Sequence, residues 1–257
     1  MMTVQNVSLP VETVAPLTKR QVWGPWATAG FGLAVGVLSA VFQVLPLLAF
    51  IVIRFASDPT LGRSSIQKMY SAQEGLFLSF STVANAIIGV GLIMLIIKLR
   101  RGMSITEYLG FRHITKKTVL GLLAITAGMV VLFEGISFLI RRPPNEFMVR
   151  VYSTSVWPAL LWIAIILLAP IFEETLFRGF LFEGFRQSRL GVVGAIGLTA
   201  LVWSSLHAFQ YDFYDVGTIF IAGIVLGIAR FKTNSLWSTM VMHAFMNLIA
   251  MVQLAIN

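Results

Sequence analysis

Trp157-PALLWIAIILLAPIFEETLFRGFLF-Glu183 is an apolar run with Glu173, Glu174 and Arg178 set inside it. A membrane span needs about 20 apolar residues, so this run is long enough to cross a bilayer. A charged side chain at the centre of a span costs roughly 2.5–3.5 kcal/mol on insertion scales. A helix that only anchors a protein has no use for that cost. Two of the chain's three histidines, His207 and His243, also fall in apolar segments. The pattern is that of a polar reaction centre built inside a membrane.

The rest of the chain agrees with that environment. Of 257 residues, 57% are hydrophobic and 12% are charged, and the mean hydropathy is +0.85. Soluble domains carry about 25% charge, so the composition is that of a polytopic membrane protein. Cysteine is absent, which excludes a disulfide framework, a thiolate metal site and a cysteine nucleophile. The net charge of +8 comes from cations at the ends of apolar runs. Membrane topology accounts for them, and no nucleic-acid-binding motif accompanies them.

The expected architecture is all-α, a polytopic transmembrane helix bundle with about seven spans. They fall near 28–53, 75–97, 118–140, 157–182, 192–211, 216–231 and 235–256, the fourth long and the sixth short. Residues 1–26 read as a polar cytoplasmic tail with no cleavable signal, and 27–257 as a single transmembrane domain. Pro46 is expected to kink the first span, and Asp58-Pro59 and Arg142-Pro143-Pro144 mark loops. With the N-terminus inside, twelve cations fall on inner segments, among them Lys19, Arg20, Arg186, Arg189, Arg230 and Lys232. Six fall outside, and Arg178 lies within a span. That bias places the N-terminus in the cytoplasm of a multi-pass cell-membrane protein. Gly32-xxx-Gly36 and Gly223-xxx-Gly227 are small-residue seams that permit close helix approach.

Three spaced motifs carry the chemistry. Glu174 and Arg178 are four apart, so on a helix they face one another and the cation neutralises one buried carboxylate. Glu173 points about 100° away and has no local cation. Glu174 thus reads as structural, and Glu173 as the general base or acid. Pro170, just upstream, cannot donate a backbone hydrogen bond and loosens the helix there. Trp203 and His207 share a face of the fifth span. His243 and Asn247 share a face of the seventh; the imidazole can polarise water, bind a metal or donate to an oxyanion, and the amide can donate to an oxyanion or a carbonyl. The expected site lies between spans 4, 5 and 7. Glu173 and His207 are level at about 25 Å along their helices from the turn near Leu190, and His243 is roughly 16 Å past the next turn.

Glu-Glu-xxx-Arg, aromatic-xxx-His and His-xxx-Asn, in that order on successive membrane helices, resemble the CAAX-processing and bacteriocin-processing (CPBP) intramembrane protease family, to which type II CAAX prenyl endopeptidase belongs. The resemblance covers about 157–250, and Tyr108-Leu-Gly-Phe-Arg112 is similar to a further family feature. It implies that Glu173 activates the hydrolytic water with His207 assisting. It further implies that His243 and Asn247 stabilise the oxyanion, and that Glu174 and Arg178 support the site. Trp203 stands where the family usually has phenylalanine, and the chain ends ten residues after Asn247, without the eighth helix of some relatives.

The family is described as metalloproteases. Glu173, His207 and His243 offer a carboxylate–two-histidine set of a type that holds catalytic zinc, but His-Glu-x-x-His is missing. Glutamate-activated water without a metal is the reading preferred on the residues, and no cofactor is assigned with certainty. The expected function is an intramembrane endopeptidase whose partners are membrane lipid and a peptide or protein substrate, lipid-modified in the case of prenylated tails. A non-enzymatic immunity or scaffold protein binding a peptide is the first alternative. A proton-coupled transporter is the second, weakened by the missing inverted repeat. Phe172, Phe177, Phe180, Phe182, Met242 and Met246 suit an apolar substrate, but ordinary lipid contact is expected for most of them. Glu134 in the third span is expected to be a snorkelling or hydrogen-bonded structural residue rather than to line the cavity or a gate, and His113 to be solvated.

Overall fold

The computed structural model describes residues 22–100 and 102–256. The expected polar tail up to residue 21, with Lys19 and Arg20, lies outside the described residues. Helix α1 (Pro25–Ser57) starts on Pro25, whose fixed φ suits the first helical turn. It is followed by α2 (Arg63–Ser71), α3 (Glu74–Leu99), α4 (Ile105–Leu109), α5 (Lys116–Leu139) and α6 (Glu146–Ser153). Then come α7 (Pro158–Arg186), α8 (Gly191–His207), α9 (Phe213–Thr233) and α10 (Leu236–Ile256). All regular structure among the described residues is helical.

Six of these helices, α1, α3, α5, α7, α9 and α10, are long and apolar enough to cross a membrane. The seventh apolar helix, α8, has 17 residues. At 1.5 Å per residue it is about 26 Å long, a little short of a hydrocarbon core of about 30 Å. The sequence expectation had the lengths of the fifth and sixth spans the wrong way round. Asp212 is the reason. Its carboxylate accepts the backbone N–H groups of Tyr214 and Asp215 at 3.0 and 3.1 Å, which starts α9 early and leaves 208–211 as a turn. Arg142 ties Asp212 and Asp215 to the preceding loop.

Helix α7 is the axis of the bundle, packed by α1, α3, α4, α8 and α10. Of the seams expected from small residues, Gly223-xxx-Gly227 is used in full. A methyl group at Gly223 would meet Ala200 Cβ at 2.9 Å, and one at Gly227 would meet Ile196 Cγ2 at 2.9 Å, so α9 lies directly on α8. Gly32 is pressed against Leu181, but nothing among the described residues lies within 4 Å of a methyl group at Gly36, so that seam is half formed. The aromatic residues expected to face lipid are instead the core. Phe172, Phe177, Phe180, Phe182 and Met242 are buried, and Met246 is partly buried. They fill the space between α7 and its neighbours because α7 is enclosed on nearly every side, whereas α1 and α5 present most of their apolar surface outward.

A second correction concerns Arg230, counted among inner-loop cations. It is 1% exposed and donates to the carbonyls of Arg178 (3.0 Å) and Leu109 (3.1 Å), with Glu183 3.6 Å away. It thus clamps α9 and α4 onto α7. Gly110 closes α4 in the left-handed conformation, φ +73°, where the guanidinium of Arg230 leaves no room for a side chain.

Candidate active site

The site begins with an irregularity in α7. Residues Ala164–Leu168 and Thr175–Leu181 are wound as π-helix, with the α-helical turn Ala169–Glu174 between them. Such widened turns occur where a helix must aim side chains away from its regular spacing. Pro170 lies at the start of the middle segment, as the loosening read from the sequence requires.

Glu174 and Arg178 are both fully buried and paired, Nη1 to Oε1, at 2.9 Å. The same Oε1 accepts from His243 Nδ1 at 2.9 Å, so α7 and α10 are joined through one carboxylate. Arg178 also donates to the Gly223 carbonyl at 3.3 Å, and its guanidinium carbon stands 4.4 Å above the Trp203 ring. Each charge is compensated within the pocket, which is what makes burial tolerable.

Glu173 is turned away from this pair, as expected from its position, and is partly buried. Its Oε2 accepts a 2.5 Å hydrogen bond from the indole Nε1–H of Trp203. Trp203 is 3% exposed and stands at the centre of the constellation. His207 and His243 each meet its ring edge-to-face with centroids 5.3 Å apart. The glutamate and both histidines, from α7, α8 and α10, are therefore gathered around one indole.

The tautomers follow from the partners. His207 Nδ1 lies 2.8 Å from the Trp203 carbonyl, which can only accept, so Nδ1 carries the proton. His243 Nδ1 faces the Glu174 carboxylate and carries its proton for the same reason. In each ring Nε2 is the nitrogen left over for other chemistry. Asn247 donates from Nδ2 to the Ile165 carbonyl at 2.8 Å, leaving a second amide hydrogen.

Glu173, His207 and His243 are offered by the sequence as a possible zinc set. Among the described residues no group of three or more His, Cys, Asp or Glu side chains is placed to hold a metal ion. Glu173 is hydrogen-bonded to Trp203, and His243 Nδ1 to Glu174. The donors as arranged do not fit a metal.

Around the site, Tyr211 caps His207 with centroids 5.9 Å apart, and burial pushes its phenol up. Between α5, α9 and α10, Glu134 lines a cleft of about 160 Å³ with Ser137, Tyr214, Asp215, Met246 and Gln253. His113 is exposed in the loop before α5, as expected. The sequence reading did not find the role of Trp203 as hub. Its signal was present in the i, i+4 spacing to His207, together with the rule that a buried indole N–H needs an acceptor.

Residues 155–249 match the family model of type II CAAX prenyl endopeptidase Rce1-like proteins, nearly the stretch of 157–250 that carries the three motifs. The match bears out the resemblance to the CPBP protease family and supports a CAAX-type intramembrane protease in general terms. Together with the six long apolar helices it supports a multi-pass membrane protein. No curated protein and no solved structure matches the chain.

Proposed function

We propose that this chain is an intramembrane endopeptidase in which Glu173 activates the hydrolytic water. The observation that carries the reading is the contrast between the two glutamates. Glu174 is fully buried and paired through Oε1 with both Arg178 and His243, whereas Glu173 is partly buried and has no ion-pair partner among the described residues. A carboxylate gathered with two imidazoles around one indole, in a largely apolar bundle, is suited to proton transfer.

Glu173 takes a proton from water as the oxygen adds to the peptide carbonyl carbon. His207 Nε2 assists by orienting that water. The negative charge gathers on the former carbonyl oxygen. The second amide hydrogen of Asn247 and a protonated His243 Nε2 stabilise it there. Glu173 then returns the proton to the amide nitrogen, the C–N bond breaks, and a carboxylic acid and an amine leave. Glu174 and Arg178 fix His243 and take no proton. The substrate is a peptide or protein segment, lipid-modified tails included, that reaches the site from the membrane. The N-terminus and the cation-rich segments face the cytoplasm.

The test uses purified full-length protein in phospholipid vesicles and a quenched fluorescent peptide with a farnesylated Cys-aliphatic-aliphatic-X end. The reading expects cleavage that is lost in E173A and H243A. Undiminished cleavage in both variants would overturn it.

A further inference from the structure

We infer that Trp203 is a positioning residue for this reaction: its indole N–H holds the Glu173 carboxylate in the orientation from which it meets the reacting water. The inference rests on the proposed role of Glu173.

The indole is held from several sides. His207 and His243 meet it edge-to-face, with interplanar angles of 76° and 75°. The Arg178 guanidinium covers a face at 4.4 Å. The backbone of Gly223 is so close that an added methyl group would lie 3.1 Å from Trp203 Cε3. With the ring immobilised, the direction of its N–H is fixed, and so is the oxygen of Glu173 that accepts it. A carboxylate on a flexible two-methylene stem would otherwise sample several rotamers. Catalysis by a general base depends on holding one of them.

The same contacts explain why Glu173 needs no salt bridge. Arg178 spends its hydrogen bonds on Glu174 and Gly223 and lays its charge over the indole instead. A cation over the ring draws electron density from it and strengthens the N–H as a donor. The charge of Arg178 thus lies over the ring whose N–H holds Glu173. Trp203 serves His207 separately, through its main-chain carbonyl. A change of the side chain alone leaves the His207 tautomer in place.

The discriminating variant replaces Trp203 with 3-benzothienylalanine, which keeps the bicyclic shape and puts sulfur where the N–H was. W203F is its coded counterpart. With the farnesylated peptide in vesicles, the expected result for the benzothienyl variant is a kcat about tenfold lower and a KM within about twofold of wild type. Independently of activity, the Trp203 indole N–H in ¹⁵N-tryptophan-labelled protein, assigned by its absence in W203F, is expected downfield and to move upfield in E173A. A benzothienyl variant with wild-type kcat, or an indole resonance unmoved by E173A, would overturn the inference. If that happens while E173A remains inactive, the proposed function stands and only the positioning role fails. Full activity in E173A would overturn both.

Discussion

The side-chain amide of Asn247 donates to the main-chain carbonyl of Ile165 at 2.8 Å, where Pro170 leaves the helix without a donor of its own. In the widened turn of α7 the Ala169 N–H reaches back five residues to the Ala164 carbonyl. The next bond in that register would run from residue 170 to Ile165, and proline has no N–H. Asn247 fills the gap and fixes α10 to α7 beside the site. N247A should therefore cost about 1–2 kcal/mol. P170A, which restores the missing donor, should recover part of that loss in the double variant. Thermal unfolding in detergent gives the cycle. A double variant no more stable than N247A would contradict the assignment. Cleavage should stay impaired in the stabilised double variant, because the second amide hydrogen is still gone.

Removing Arg178 leaves the Glu174 carboxylate in a buried pocket without its cation. R178M should destabilise the protein by about 3–5 kcal/mol. Adding E174Q should restore a large part of that loss, since a neutral amide no longer needs the charge. Folded yield and melting temperature of the single and double variants check this. Equal stability of R178M and wild type would show the pair to be dispensable.

The helix seams differ in a measurable way. Gly227 has Ile196 against it, so G227V should separate α9 from α8 and cost about 1–3 kcal/mol. A methyl group at Gly36 has nothing among the described residues within 4 Å, and G36A should be neutral or stabilising by up to about 1 kcal/mol. Equal effects at the two positions would contradict the packing described.

Much of this arrangement was legible because charge inside lipid is costly. Glu173, Glu174, Arg178, His207, His243 and Asn247 stand out in apolar surroundings, and regular spacing assigned Glu174 to Arg178 before any coordinates. What was not legible depends on partners distant in sequence. The Asn247 bond exists because of a proline 77 positions earlier. Trp203 gains its donor role only when α7 and α8 meet. Arg230 has the look of a loop cation and is buried because the Leu109 and Arg178 carbonyls converge on it. The end of α8 at His207 was missed because hydropathy continues past it, and the stop comes from capping by Asp212.

That cap gives a pH dependence. The hydrogen bond from Arg142 holds the Asp212 carboxyl below its ordinary value. A depressed folded-state value means its contribution is complete above the unfolded value of about 3.9 and is lost as the pH falls through the folded one. Asp212 is exposed, so D212N should cost only about 0.5–1 kcal/mol near pH 7. The difference between D212N and wild type should shrink on acidification below about pH 4. Melting curves at pH 7 and pH 3 test it, and a gap that widens toward low pH would contradict the assignment.

The central claim is that Glu173, partly buried and gathered with His207 and His243 around Trp203, performs hydrolysis. The most direct measurement compares cleavage of the farnesylated peptide by wild type and by E173Q, which keeps the shape and the contact with Trp203 while removing the basic oxygen. Cleavage at least about a hundredfold slower in E173Q, with an unchanged melting temperature, is the predicted result. Equal rates in the two proteins would contradict the account.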